Sequence, residues 1–595
     1  MTLKEIRIAK GFTQQKCADI LNISKRKYQY LENNEEYLTS SMYQHYCEIL
    51  NNFENINDIK FNTNVVLGDS LSLLKRKVIT YRKRYCYQHL LDYINSDYKG
   101  KICILYGLRR TGKTTLLFQL LNDIDINKAV YIKVKDNNNM GDLVKDINTL
   151  KNYGIKYFLI DEITLMSDFI NSASTLSDVY SMLGLKIIVS GTDSLGFAFC
   201  DRDELFDRNI MIHTSYIPFK EFSYVTSIND IDQYIEYGGT LKSENISFND
   251  PDYQKEEIAF RDDESTRKYI DTAIAKNIQR TLRNNHFETS FVHLKKLYDS
   301  NELTNVINRI TEHMNHEFLL SVITRPFKSS DLGSAKQLLL KNDNPEIQTA
   351  LYDIDTDKVI AKLKDIIEVK EKEELINIID EEVINQVKSY LYMLDLIKDV
   401  EVRYDDGTIE KQVVFTQPGM RYAITKALVY SLMDDKHFNS LSMKNKRIII
   451  DKILSDIKGR MLEDIVLLER TNIKTKDEMV FKYKSIKGGE IDLVTYNLKD
   501  NNCNLYEIKH SSEISFDNQT KNFKKEDITT SISNTYGTIS NMIILYKGNN
   551  TLINNIQYIN VEDYLINIWY IKLSYRYNTI NPVVFHLIRE FNLID

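Results

Sequence analysis

The sequence predicts a multidomain α/β protein with an all-α N-terminus, a parallel-sheet core and a second α/β unit at its C-terminal end. Three observations carry this. The first fifty residues hold apolar positions at helical spacing and no strand pattern. The stretch from Lys101 to Thr192 alternates short apolar runs with helices, the signature of a parallel sheet. Beyond Gly459, a helix precedes alternating strands that present Asp492, Glu507 and Lys509. At 595 residues the chain has room for about four domains. Its expected divisions are 1–65, a helical basic connector at 66–96, the core at 97–240, a helical lid at 241–345, a winged helix at 346–435, and an α/β unit at 436–595.

In the N-terminal segment, Leu3, Ile6, Cys17, Ala18, Leu21, Ile23, Tyr28 and Leu31 mark a helix followed by two helices joined through a tight turn. Thr13 and Ser24 stand where N-caps belong. The third helix then exposes Lys25, Arg26, Lys27 and Gln29, with Gln14 opening the second, side chains suited to phosphates and major-groove base edges. A helical bundle for protein contact is the alternative. This segment resembles the Cro/repressor-type helix-turn-helix, with Asn34 where that family has Gly. The resemblance implies double-stranded DNA as partner and a tendency to dimerise. The connector holds the basic run "KRKVITYRKRY", read as a solvated helix face or a contact to the DNA backbone.

The core opens on "CILYGLRRTGKTTLL". Gly107 and Gly112 frame a G-x-x-x-x-G-K-[ST] loop between a strand and a helix, so amide groups of Arg110, Thr111 and Gly112 and the helix start at Lys113, Thr114 and Thr115 would face phosphate oxygens. Lys113 would reach the β- and γ-phosphates of ATP, and Thr114 would hold Mg²⁺. "KYFLIDEI" ends a second strand in Asp161, a further Mg²⁺ group, and Glu162, placed to polarise water. "LKIIVSGTDS" ends a third in Ser190 and Thr192, where a γ-phosphate could be sensed. The strand ends put the ligand at the carboxyl edge of the sheet.

These motifs resemble the prokaryotic AAA+/STAND-related ATPases of the archaeal-type clade, through "GLRRTGKTTL", "DEI", "SGTDS", "LFDRNIMIHTSYIPFKEF" and "EYGGTL". In the fourth, Asp207 replaces a family glycine and Lys220 a serine, while Arg208, Pro218 and Phe222 follow the pattern. The resemblance implies an oligomer, a restriction-endonuclease-like domain fused at the C-terminus, and a role in defence against foreign DNA. Arg208 would sense γ-phosphate in cis or from a neighbouring subunit; a structural salt bridge fits it equally.

The segment after residue 380 gives helix, strand, Asp406-Gly407 turn, strand and helix, a winged helix with acidic residues that favour an adaptor role. In the C-terminal unit, Glu463 on a helix, Asp492, and the Glu507-Ile508-Lys509 strand follow the PD-(D/E)xK arrangement of restriction-type nucleases. Asp492 and Glu507 could share Mg²⁺ or Mn²⁺ with Glu463 completing the shell, and Lys509 could activate water. Gln519 stands where some relatives place a helical Gln.

Composition sets the limits. Hydrophobic residues make up 43% and charged residues 27%, ordinary for a globular chain. A net charge of −7 excludes a globally basic nucleic-acid binder but not local basic patches. Cysteines 17, 47, 86, 103, 200 and 503 form no C-x-x-C pair, which with the lack of a signal peptide or a stretch of about 20 apolar residues points to the cytoplasm and away from membranes. The expected function is an ATP-hydrolysing protein whose nucleotide state gates DNA binding or cleavage. The alternative is an ATP-responsive DNA-binding regulator with an inactive nuclease-like domain.

Overall fold

The computed structural model describes residues 2–21, 23–52, 56, 59–192, 197, 205–241, 260–283, 292–324, 381–431 and 442–568. Much of the expected lid and winged-helix segments, and Asp193 and Ser194 of the "SGTDS" motif, lie outside them.

Helices Leu3–Ala9, Gln14–Ile20, Lys25–Asn33 and Ser40–Asn52 form the N-terminal bundle around Leu3, Cys17, Tyr28 and Leu50. Thr13 Oγ1 accepts from the Lys16 amide at 3.1 Å and Ser24 Oγ from the Lys27 amide at 3.2 Å, satisfying donors that a helix start leaves open. Asn34, standing where the resembled family has Gly, does not adopt a left-handed conformation. Its φ is −140°, and its side chain donates to the Tyr30 carbonyl at 2.9 Å, closing the helix end without a glycine.

The core sheet has six strands: β1 (Asn64–Val66), β2 (Ile102–Tyr106), β3 (Ala129–Lys133), β4 (Tyr157–Asp161), β5 (Lys186–Gly191) and β6 (Asn209–His213). Their order is β1-β3-β4-β5-β2-β6, and all pairs are parallel except β1 with β3. The boundary expected at residue 65 therefore runs through a strand of this sheet. Asn62 and Thr63 fasten that entry by donating to the buried Asp146 carboxylate. Strands β2, β4 and β5 are apolar on both faces because helices cover both, which is why they read as continuous apolar runs.

The second sheet has eight strands: β7 (Ile397–Tyr404), β8 (Ile409–Phe415), β9 (Glu478–Lys484), β10 (Glu490–Asn497), β11 (Asn502–Ile508), β12 (Thr538–Tyr546), β13 (Thr551–Ile553) and β14 (Ile556–Asn560), in the order β13-β14-β12-β11-β10-β9-β7-β8. The β7–β8 hairpin is the expected wing, with Gly407 at φ 87° in its turn. It is nevertheless an extension of the C-terminal sheet, since β7 pairs in parallel with β9 from Val402↔Lys482 to Tyr404↔Lys484. The division expected at residue 435 thus crosses a continuous hydrogen-bonded sheet. Helix Met443–Ile473 packs across it, and the shared core takes in Phe219, Phe222 and Tyr234 from the end of the nucleotide-binding segment. The helices from Asp263 to Thr324 join helix Glu381–Met393 in another core that also buries Leu108 of the glycine loop. Among the described residues, no helix is long and apolar enough to cross a membrane.

Candidate functional site

The turn after β2 is shaped by backbone that only glycine adopts easily. Gly107 has φ 145° and Gly112 φ 87°; a Cβ on Gly107 would lie 2.5 Å from Thr214 Oγ1. Arg110, with φ 62°, completes the reversal, and helix Lys113–Leu120 begins immediately after. Thr111 Oγ1 donates to the Leu108 carbonyl at 2.8 Å and shares a 2.7 Å hydrogen bond with Thr214 Oγ1. Lys113 Nζ donates to the Gly107 and Leu108 carbonyls, each at 2.8 Å, so the ammonium lies inside the loop. Burial pushes its pKa down to about 8, against the pull of the Glu162 and Asp161 carboxylates.

Asp161 ends β4 fully buried. It accepts from Thr114 Oγ1 at 2.9 Å, Tyr131 OH at 2.8 Å, Lys133 Nζ at 3.2 Å and the Ser190 hydroxyl. Burial alone would raise its pKa, but Lys133 and these hydroxyls hold it below the usual carboxylate range. Glu162 follows in the left-handed conformation, φ 60°, uncommon for this residue type and characteristic of functional sites. Thr114, Asp161, Glu162, Ser190 and Lys113 are thus gathered at one sheet edge, with Thr115 half-buried on the same helix start. Thr192 is drawn aside, its hydroxyl 3.2 Å from Asn277 Oδ1 and its carbonyl accepting from Asn277 Nδ2 at 3.0 Å.

Arg208 is not brought to this site. It precedes β6, whose Asn209 pairs with Ile102 at the amino end of β2, the opposite edge from the glycine loop. Its guanidinium instead pairs with Asp178 at 2.9 Å, the salt bridge that its sequence position equally allowed. Sequence reasoning also missed Arg84. Within the run expected to be a solvated face, Arg84 is buried and donates to both Glu221 carboxylate oxygens, at 3.0 and 2.9 Å, and to the Thr111 and Thr214 carbonyls, at 2.8 and 2.7 Å. It ties the glycine loop to the end of β6 and to helix Phe219–Thr226. The Glu221 of "PFKEF" was the available signal.

Residues 99–223 match the family model described as AAA domain. The chain carries an AAA-type ATPase domain. A Methanocaldococcus jannaschii protein described as uncharacterized is 28% identical over 180 residues, which span 29% of this chain and 39% of that protein. Among solved structures, the S. cerevisiae Hsp104–ADP complex is similar at 13% identity and TM-score 0.19, covering 68% of this chain and 55% of that one. The Aeropyrum pernix ORC1 protein in complex with DNA is similar at 13% identity and TM-score 0.21, covering 62% and 98%. The AAA assignment rests on the sequence match and on the loop itself. Its residues suit Mg²⁺-ATP: amides and an ammonium for phosphate, with a hydroxyl and a carboxylate 2.9 Å apart for the ion.

A second cluster lies on the C-terminal sheet. Asp492 sits in β10 where the register with β9 shifts between Ile491 and Val494, a bulge that re-aims side chains. Its Oδ2 accepts from the Ile508 amide at 2.9 Å and from Lys509 Nζ at 3.3 Å. Lys509 Nζ also donates to Glu507 Oε2 at 2.5 Å, and Asn522 Nδ2 donates to Glu507 Oε1 at 3.0 Å. Burial pushes the Glu507 pKa up to about 8, with the Asp492 charge adding to it against Lys509. Glu463 joins from helix Met443–Ile473, its Oε2 bound by Arg460 at 2.5 Å and Lys482 at 2.8 Å. Against its burial, Lys482 and Arg460 hold its pKa below the usual range. The four expected residues are therefore together. Lys482, Arg460, Glu490 and Asn522 were not expected. Gln519 is not aimed at the carboxylates; it braces its own loop through the Ser515 amide and the Glu513 carbonyl, both at 3.0 Å. A cleft of about 740 Å³ opens beside Glu463 and Lys509, bounded also by Arg460, His510 and Asn518.

At the N-terminus, Lys25, Arg26 and Lys27 are exposed on the third helix. Gln29 and Gln14 are linked to each other. Gln29 Nε2 donates to Gln14 Oε1 at 2.9 Å, and Gln14 Nε2 to the buried Glu32 at 2.6 Å, itself paired with Arg7.

Proposed function

We propose that the chain is an ATP-hydrolysing, DNA-acting protein whose C-terminal α/β unit is a metal-dependent nuclease under the control of nucleotide state. Lys113 and the amides at the start of helix Lys113–Leu120 would hold the ATP phosphates, Thr114 and Asp161 the Mg²⁺, and Glu162 would orient the attacking water. Lys25, Arg26 and Lys27 would contact the phosphates of duplex DNA, with Gln29 and Gln14 acting as a hydrogen-bonded unit.

One observation supports the nuclease reading above all. Asp492, Glu507 and Lys509 meet within 3.3 Å contacts although Asp492 and Glu507 belong to different strands. Two carboxylates that share one ammonium are held near each other and repel unless a cation stands between them. Asp492 and Glu507 would supply hard oxygen ligands, with Glu463 beside them held by Lys482 and Arg460, and a divalent ion bound there would polarise the scissile phosphate. Lys509 would hold the attacking water against that phosphate.

A physical route supports the gating. The Leu241 amide donates to the Arg110 carbonyl at 2.7 Å, and Gln417 Nε2 donates to the Gly239 carbonyl at 3.0 Å. Helix Pro418–Tyr430 begins at that contact and carries Arg421, which pairs with Asp464, the neighbour of Glu463, at 3.1 Å. A second branch runs through helix Ile231–Tyr237, where Asp232 pairs with Lys547 and with His510 at 2.6 Å, the residue after Lys509.

The deciding experiment is cleavage of duplex DNA with Mg²⁺ or Mn²⁺, with and without ATP. Cleavage lost together with metal affinity in Asp492→Ala, and slowed with metal retained in Lys509→Ala, supports the reading. A folded, ATP-hydrolysing protein that cuts no nucleic acid under any metal or nucleotide condition puts the ATP-responsive regulator in its place. The occupation of both Asp492 oxygens by ammonium groups favours that alternative.

A further inference from the structure

The C-terminal cluster contains an ammonium group that its motif does not require. Lys482 lies on β9, an interior strand paired on both sides by β10 and β7. Its side chain is 1% exposed. Its Nζ lies 2.8 Å from Glu463 Oε2, 3.4 Å from Glu490 Oε2 and 3.5 Å from Asp492 Oδ1. Oxygens of the same three carboxylates all fall within 4.8 Å of one another, a spacing that would suit a bound cation.

The other lysine of the site differs. Lys509 touches the opposite Asp492 oxygen and Glu507, and its side chain is 31% exposed beside the cleft. Its long stem can swing as a ligand arrives. Lys482 has no such freedom, because withdrawing its 1%-exposed ammonium from these carboxylates would strand that charge without a partner in the interior. Its sequence position carries the matching signal: Phe481 and Tyr483 on either side are buried in the core on the other face.

We propose that Lys482 is a built-in cation that fills the position between Glu463, Glu490 and Asp492, so that a divalent ion can enter this site only on the Lys509 and Glu507 side. Lys482 is thereby a positioning residue. It keeps Glu463 and Asp492 converged without a second metal ion, and it confines metal chemistry to the side of Lys509 and Glu507. The inference rests on the metal-site reading of these carboxylates.

The test counts Mn²⁺ bound by the full chain without nucleotide, by calorimetry and by electron paramagnetic resonance, taking only the part lost in Asp492→Ala. Lys482→Met should bind one more Mn²⁺ per chain than the wild type, while Lys482→Arg should match the wild-type count. An unchanged count in Lys482→Met overturns the inference. Lys482→Gln, which keeps a polar group among the carboxylates, is read in the same way should Lys482→Met fail to fold. The wild-type count tests the underlying reading separately: one ion supports a metal-dependent nuclease, and none overturns it, whereas the increment still decides the role of Lys482.

Discussion

The glycine loop and the C-terminal cluster both use lysine, but they arrange charge in opposite ways. At the loop, one buried ammonium is held by neutral carbonyls, and an anionic ligand would add what the loop lacks. At the C-terminal cluster, Glu463, Glu490, Asp492 and Glu507 already face Lys482, Lys509 and Arg460. A site of the first kind gains its full electrostatic contribution from the ligand. One of the second kind must exchange internal ion pairs for new ones, so metal entry there is a contest between cations.

The contrast is broken most directly at Lys113. Lys113→Ala should weaken ATP binding by more than about a hundredfold, on the scale of losing one preorganised group that faces developing charge. Glu162→Gln should keep ATP and lose turnover. Equilibrium binding and phosphate release on the same preparations separate the two, and normal turnover in Lys113→Ala would sink the assignment.

Arg84 gives an effect of comparable size on stability rather than on binding. Replacing it with Ala leaves Glu221 buried without its partner and the Thr111 and Thr214 carbonyls without donors. The expected destabilisation is about 3–5 kcal/mol, read from denaturant unfolding. A loss below about 1 kcal/mol would mean that the glycine loop holds its shape unaided.

How much of this was legible follows from where the partners lie in the chain. The glycine loop, Asp161, Glu162 and Ser190 could be read because each stands at the carboxyl end of a parallel strand, and topology gathers those ends. Asp492, Glu507 and Lys509 could be read because alternation puts the last two on one strand face. Arg84 could not, since its ligands lie 27 to 137 residues away and its neighbours Arg82 and Lys83 are surface groups. The attachment of the β7–β8 hairpin to β9 was equally hidden: the two pair across the long helix Met443–Ile473, and nothing local to either marks it. The pairing of Gln29 with Gln14, and of Gln14 with Glu32, was hidden too, because helical position gives exposure but not the partner on a neighbouring helix.

A smaller effect should come from pH. Lys113 in the free chain is charged only below about 8, whereas ATP phosphates favour the ammonium form, so binding above that pH must take up a proton. Affinity should fall by up to about tenfold, or about 1.4 kcal/mol, per pH unit above 8. Stability moves the other way through that window, because the unfolded lysine keeps a proton that the folded one has released. Calorimetry in buffers of different ionisation enthalpy measures the uptake; no proton linkage would show that the ammonium persists in the empty loop.

The smallest effect is expected at Arg208, and its size decides between two arrangements of the ATPase. Arg208 and Asp178 are each 47% exposed, and an ion pair in that setting contributes about 0–1 kcal/mol. Arg208→Ala should therefore leave unfolding nearly unchanged and ATP binding untouched. Its position at the amino edge of β6 removes it from the nucleotide of its own chain, but not from one held by a neighbouring copy. ATP turnover measured against protein concentration separates the cases. Equal rates for wild type and variant at every concentration leave Arg208 a surface ion pair. A wild-type rate that climbs with concentration, and a variant rate that does not, would place this arginine in the active site of the next subunit.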